Sequence, residues 1–376
     1  MQPKSPFKIL LVGGGTGGHF YPLMAIAEAL NRLPDGAQLY YAGPDRYNAD
    51  ALQSANIDFI RVGAGKRRRY ASILNIFDPI RTFFGMFSAI IKLFWLYPDV
   101  VMSKGGYTSV PVVLAAAFLR IPVVVHESDA VMGRANRLGS RFARYLVTSY
   151  EGISFQTKAE QQLLGIPVRT ALLVPPRPDA IERLDIDPER PVLLIMGGSQ
   201  GAERINNLIL DSLDELLHDF TVLHQTGQAH HIMCTQTADK LIQDEGMRAH
   251  YHPVPSLDAA SLNDAYHLAG VIVSRAGSGS IYEIALHGKP SILIPIPEGI
   301  SHDQRTNAYT YARAGAAVVI EEKNLSAGLL RSEIDRIMLD QSVYSAMSTA
   351  ASSFGRPDAA HNVAGLLMGI AQEHVK

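Results

Sequence analysis

The stretch LLVGGGTGGHFYP, residues 10–22, sets an apolar run and a glycine-rich turn directly before LMAIAEAL, residues 23–30, which has helical spacing. This is the opening of a βαβ unit: the apolar run is buried as a strand, and the turn feeds a helix packed on the sheet. PVLLIMGGSQGAERINNLILDSLDELL, residues 191–217, repeats the plan about half a chain later. The short apolar runs LYYAG, VVMSKGG, IPVVVHE, YLVTS, TVLHQTG, GVIVSRAG and PSILIPIP alternate with helical stretches in both halves. The alternation predicts two α/β domains, each on a parallel sheet. A length of 376 residues suits that number. The stretch LVPPRPDAIERLDIDPER, residues 173–190, is rich in proline and charge, which suits a connection between them.

Composition narrows the function. A hydrophobic fraction of 47% with 19% charged residues is that of a folded globular chain. The formal net charge of -2 gives no basic surface for bulk nucleic-acid binding. Cys234 is the one cysteine, so neither an internal disulfide nor a cysteine-rich zinc site forms within a chain, and a reducing compartment fits. The N-terminal MQPKSPFKILLVGGG has only a short apolar run and reads as no secretory signal.

Gly13-x-Gly15-x-x-Gly18 matches a dinucleotide fingerprint, but that site needs an acidic residue at the end of the second strand to bond a ribose. LYYAGP ends in Ala42-Gly43-Pro44, with Asp35 before the strand and Asp45 beyond it, so the match fails. What remains is a turn and a helix N-terminus that present N–H groups to some other anion. His19 starts that helix, either packed there or offered to the loop's ligand. In the second half, Gly197-Gly198-Ser199-Gln200-Gly201 forms a similar cradle. Further on, Ser278-Gly279-Ser280 opens a helix with Glu283 one turn in. Glu283 either accepts from the vicinal hydroxyls of a ribose or closes a capping box on Ser280, and spacing alone leans to the box. Asp303, Gln304 and Asn307, in EGISHDQRTNA, share one turn and suit sugar hydroxyls or a solvated helix start.

Six motifs in this order closely resemble the MurG-type N-acetylglucosaminyltransferases of peptidoglycan synthesis, over nearly the whole chain. They are Gly14-Gly15-Thr16-Gly17-Gly18-His19, GGYTS at 105–109, HESDAVMGRANR at 126–137, GGSQGA at 197–202, SRAGSGSIYE at 274–283 and HDQRTNA at 302–308. The resemblance implies a GT-B fold, two Rossmann-like parallel-sheet domains facing a central cleft. Residues 1–168 are then the acceptor and membrane-facing domain, joined by the C-terminal helix 356–376, and residues 169–355 bind UDP-N-acetylglucosamine. The implied reaction is inverting transfer of N-acetylglucosamine to the 4-hydroxyl of the muramyl sugar of lipid I, giving a β-1,4 bond, lipid II and UDP.

The resemblance assigns residues as well. The acceptor pyrophosphate falls to Gly14, Gly15, Thr16, Gly17 and Gly18, with Tyr107, His126 and Asn136. His19 is the expected base, with Glu127 and Asp129 as rivals. On the donor side Arg169 lies near the uracil, Glu283 holds the ribose, Ser199 and Ser280 the diphosphate, and Asp303 with Gln304 the sugar hydroxyls. Gly198, Gln200, Asn206, Arg275, Ser278 and Gly279 complete that set. Two positions depart from the family: His126-Glu127-Ser128-Asp129 stands where His-Glu-Gln-Asn is usual, and Asp303 where a glutamine or another polar residue often occurs. Transfer to another lipid such as diacylglycerol, a UDP-N-acetylglucosamine epimerase and a non-enzymatic UDP-sugar-binding protein are the alternatives.

No carboxylate pair reads as a metal site, so neither metal nor cofactor is expected. His19 is expected to titrate at about 6.5 and be neutral at pH 7. Residues 66–97 join the basic Arg67, Arg68 and Arg69 to the apolar Ile73, Leu74, Ile76, Phe77, Phe83 and Phe84. Arg81 and Lys92 interrupt this segment, so it lacks the run of about 20 apolar residues that spans a bilayer. It is expected to dock peripherally, through residues 66–87, on the anionic cytoplasmic face of the cell membrane, with a buried helix over 83–97 as the plainer reading. The expected partners are UDP-N-acetylglucosamine, a polyprenyl-diphosphate-linked muramyl peptide, that membrane surface and other cell-wall synthesis proteins.

Overall fold

In the computed structural model the run around Ile9 to Val12 is a strand with all four side chains fully buried. The structure describes residues 7–34, 36–65, 74–197, 202–299 and 303–374, with backbone only over 74–80. The chain forms two units, residues 1–170 with 357–376, and residues 171–356.

The first unit is built on β1 (Phe7–Gly13), β2 (Ala37–Gly43), β3 (Ile57–Arg61), β4 (Val100–Gly105), β5 (Val123–His126), β6 (Tyr145–Thr148) and β7 (Glu160–Leu163). They pair in the order β3-β2-β1-β4-β5-β6-β7, all parallel. Both faces are covered, so the strands read as continuous apolar runs. Alternate residues serve alternate faces. Ile9 and Leu11 pack with Phe20 and Leu23 of the helix Gly17–Asn31 and with Val363, Leu367 and Ile370 of the helix Ala359–His374. Leu10 and Val12 pack with Ala89 and Leu93 of the helix Leu74–Leu96 and with Val112 and Ala116 of the helix Val110–Phe118.

The second unit carries β8 (Val192–Met196), β9 (Thr221–Gln225), β10 (Tyr251–Val254), β11 (Ala269–Ser274), β12 (Ser291–Leu293) and β13 (Ala317–Val319). Their order is β10-β9-β8-β11-β12-β13, again parallel. Leu193 and Ile195 share a core with Ile205, Ile209 and Leu213 of the helix Glu203–Asp219. Residues 173–190 are no free connection. Arg177 ion-pairs with the fully buried Asp264 at 2.6 Å, and Asn263 Nδ2 donates to Val174 O at 3.1 Å. Arg177 and the Val174 carbonyl thus dock this stretch on the second unit.

The strand orders mark where sheets of this kind hold ligands. In each sheet the order reverses beside the first strand, between β1 and β4 and between β8 and β11. Ligands of open parallel sheets bind at such switch points, outside the carboxyl ends of the strands. The loops after these four strands are the glycine-rich ones.

Candidate active site

In the first unit, the loops after β1 and β4 interlock. A Cβ at Gly14 would lie 2.7 Å from Tyr41 Oη, whose hydroxyl donates to Gly13 O at 2.8 Å. Gly106 has φ +79°, and a Cβ there would lie 2.9 Å from Gly14 O and 3.8 Å from the His19 ring. Only glycine meets both demands. Thr16 is the N-cap of the helix Gly17–Asn31, but its side chain makes no cap bond. It is engaged instead with His19 Nδ1 at 2.7 Å. The tautomer in which Nδ1–H donates to Thr16 leaves Nε2 with a lone pair. Burial, and next the positive charge of Lys104, push the His19 pKa down to about 4, well below the expected 6.5.

The loop after β5 is held by Glu127. Its Oε1 accepts from Asp129 N at 3.0 Å, and its Oε2 accepts from Gly133 N and Asn136 Nδ2, each at 2.9 Å. Burial, with Asp129 adding to it, raises the Glu127 pKa. With both oxygens taken by its own loop and the helix that follows, Glu127 is a brace. His126 Nε2 donates to Gly165 O at 2.8 Å in the tautomer that fits, while its buried Nδ1, with Ser128 Oγ, Asn136 Oδ1 and Thr108 Oγ1, has no hydrogen-bond partner. Four orphaned buried polar atoms near one loop cluster are costly unless a ligand or water meets them. Asp129 and Tyr107 are both half-exposed.

In the second unit, Gly277 is the N-cap of the helix Ser278–Leu286, with no side-chain cap bond. The capping-box expectation therefore fails: Ser280 lies inside the first turn, and Tyr266 Oη donates to Glu283 Oε2 at 2.9 Å. A Cβ at Gly277 or Gly279 would meet nothing within 4 Å, so these glycines leave open space before the helix N-terminus. Asp303 is the N-cap of the helix Gln304–Arg313. Gln304 Oε1 accepts from Ile296 N at 3.2 Å, which ties that helix to the chain beyond β12. Among the described residues, no cluster of three or more His, Cys, Asp or Glu side chains is placed to hold a metal ion.

These two loop systems lie in regions with known relatives. Residues 9–148 match the glycosyltransferase family 28 N-terminal domain, and residues 192–363 the glycosyltransferase family 28 C-terminal domain. The UDP-N-acetylglucosamine–N-acetylmuramyl-(pentapeptide) pyrophosphoryl-undecaprenol N-acetylglucosamine transferase of Shouchella clausii is 35% identical over 369 residues, 97% of this chain and 99% of its own. The chain belongs to this transferase family. The Lachnospira eligens protein of the same name is 31% identical over 340 residues, 90% of this chain and 92% of its own. The crystal structure of Acinetobacter baumannii MurG aligns with a TM-score of 0.76 at 25% identity, covering 97% of this chain and 100% of that one. The architecture is accordingly GT-B.

Some residues of this transferase are placed otherwise than its sequence suggests. Arg169 lies in the first unit, with its guanidinium 4.4 Å from the centre of the Tyr21 ring. Asn206 is fully buried: His224 Nε2 meets its Oδ1 at 3.1 Å and its Nδ2 donates to Thr226 O at 2.9 Å, which makes it a support of the core. Arg275 is spent on Ile294 O and on Glu322 at 2.6 Å. Gly198, Ser199 and Gln200 lie outside the described residues, as do Arg67, Arg68, Arg69 and Ile73. Leu74, Ile76 and Phe77 fall where only the backbone is described, in the first turns of the helix Leu74–Leu96. The transferase also has residues that sequence reading passed over, Tyr41, Tyr266 and above all Lys104. The one signal for Lys104 was a lysine closing an apolar run, directly before two glycines.

Proposed function

We infer that this chain transfers N-acetylglucosamine from UDP-N-acetylglucosamine to the 4-hydroxyl of the muramyl sugar of a polyprenyl-diphosphate-linked acceptor, forming lipid II and UDP. The observation that carries this reading is 35% identity to a named transferase across 97% of the chain, with the loops of both units included. The acceptor oxygen forms a bond to the anomeric carbon as the bond from that carbon to the diphosphate breaks, and UDP leaves with the electron pair. His19 Nε2 takes the hydroxyl proton. With a pKa of about 4 the ring is unprotonated at neutral pH, so Nε2 is ready to accept that proton. Asp129 accepts from a sugar hydroxyl. On the donor side Glu283 accepts from the ribose, Ser280 in the first turn of its helix meets the leaving diphosphate together with Ser199, and Asp303 and Gln304 hold the sugar. This electrostatic cradle does the work of a metal, so a chelator is expected to leave the rate unchanged.

The acceptor is lipid-linked, and the helix Leu74–Leu96 suits a membrane surface. It buries Gly85, Ala89 and Leu93 and exposes Phe83, Phe84, Phe87, Ile91, Phe94 and Trp95, the last 81% accessible. These aromatics extend the expected apolar patch beyond residue 87. No helix of the described residues is long and apolar enough to cross a membrane. We therefore propose peripheral attachment to the cytoplasmic face through this helix. The deciding assay is UDP release with and without a lipid I analogue. Analogue-dependent release giving a β-1,4 disaccharide, reduced about 10²–10⁴-fold in His19→Ala, supports the reading. UDP-sugar binding without analogue-dependent release by the parent sinks it.

A further inference from the structure

Lys104 closes β4, an otherwise uncharged and fully buried strand, and is itself only 2% exposed. Lysine is almost never buried this deeply unless it is paired. Its position is specified by the backbone. Val12 and Gly13 of β1 pair with Ser103 and Gly105, so Lys104 is the extra residue of a β-bulge. Bulges re-aim a side chain and cluster near active sites. A Cβ at Gly13 would lie 2.7 Å from Lys104 Cβ, so the missing side chain at Gly13 makes room for the lysine.

Four titratable groups interact with this ammonium: His19 at the start of its helix, His126 at the end of β5, and Glu127 and Asp129 in the loop that follows. The other elements packed on β4 add no charge at this end. The helix Val110–Phe118 has no titratable residue, and Lys8 of β1 lies at the opposite end, where it donates to Leu96 O. Arg134 and Arg137 of the helix Arg134–Gly139 are exposed. In the helix Ala359–His374, His361 is exposed and His374 pairs with Asp99, just before β4. Glu373 of that helix pairs with Arg144.

We propose that Lys104 is a positioning residue of the acceptor site: its buried ammonium, balanced by Glu127 and Asp129, opposes protonation of His19 while a diphosphate occupies the neighbouring loop. The inference rests on the reading of His19 as the base. An anion cradle beside a general base has a built-in conflict, because the bound anion favours the imidazolium, which cannot take a proton. A fixed internal cation opposes that shift. Burial pushes the Lys104 pKa down to about 8, with Glu127 and Asp129 acting to raise it, so the cation persists at neutral pH.

The test is the titration of the His19 ring carbon by NMR in the full chain with labelled histidine, His19→Gln supplying the assignment. In the parent, His19 is expected to stay neutral to below pH 5 and to register a second inflection near pH 8 as Lys104 loses its proton. Lys104→Met is expected to move the His19 titration up by about one unit or more, and the acid limb of kcat/KM with it, while Lys104→Arg restores both. An unmoved His19 titration in Lys104→Met overturns the proposal. So does a parent titration near 6.5, or a flat trace through pH 8, and these two results need no variant to fold. Should Lys104→Met not fold, Lys104→Met with Glu127→Gln removes the cation and one counter-charge together, and the same upward shift is read there. If His19→Ala turns over normally, the reading of His19 as base fails while the His19 titration still reports on Lys104.

Discussion

Glu283 is half-buried, with Tyr266 Oη donating to its Oε2 at 2.9 Å. Tyr266→Phe removes that hold before substrate arrives. The KM for UDP-N-acetylglucosamine is expected to rise about tenfold with kcat little changed, as steady-state kinetics will read. A fall in kcat at unchanged KM would instead place Tyr266 in the transition state. Gly106→Ala forces a side chain onto φ +79° and against Gly14 O. It is expected to cost about 1–3 kcal/mol in denaturant melts and to disrupt the His19 loop. The pH dependence follows from the His19 pKa of about 4. The base form exists above that value, so kcat/KM in the parent should fall as pH drops through about 4, with no step at 6.5 from this residue. Glu127 looked like a candidate base because sequence shows which carboxylates lie near a motif and not which oxygens are already used. Three hydrogen bonds, from Asp129 N, Gly133 N and Asn136 Nδ2, answer that.

The helix Leu74–Leu96 packs one face closely, since a Cβ at Gly85 would lie 1.9 Å from Gly63 O, and Lys92 Nζ donates to Arg61 O. Its other face carries the exposed Phe83, Phe84, Phe87, Ile91, Phe94 and Trp95, which recur every three or four residues along the helix. Paired substitution of Phe84 and Trp95 by serine is expected to lower co-sedimentation with anionic vesicles at least about tenfold. Donor binding and melting temperature should stay as in the parent. Loss of donor binding would show that these rings support the fold. At this scale the sequence was readable where periodicity is strong: apolar runs became strands, and glycine turns became loops at their carboxyl ends. It was less readable in residues 173–190, because proline and charge mark a linker only while their partners are unknown. Here the partner is Asp264, about a quarter of the chain away.

Each unit buries histidines in the neutral form, and this gives the molecule a predictable response to acid. Burial pushes His19 to about 4 in the first unit, and His224 and His287 to about 3 and about 4 in the second. These folded-state values lie below the unfolded value of about 6.5, so the unfolded chain binds more protons between them. Stability is full above about 6.5 and falls as pH drops toward 4, by up to about 1.4 kcal/mol per pH unit for each such histidine. Melting temperatures at pH 7, 5.5 and 4.5 should therefore descend, and a flat series would mean that these rings are hydrated. The order of apolar and glycine-rich segments along the chain was enough to determine two parallel-sheet units and the family, because these depend on local periodicity and on the conformations only glycine permits. Tertiary structure alone decided which polar groups are spent and which are free, and where the charge lies. The Glu127 brace, the Tyr266 hold on Glu283 and the bulge that buries Lys104 beside His19 all join residues distant in the chain, and no local pattern records the dielectric in which they meet.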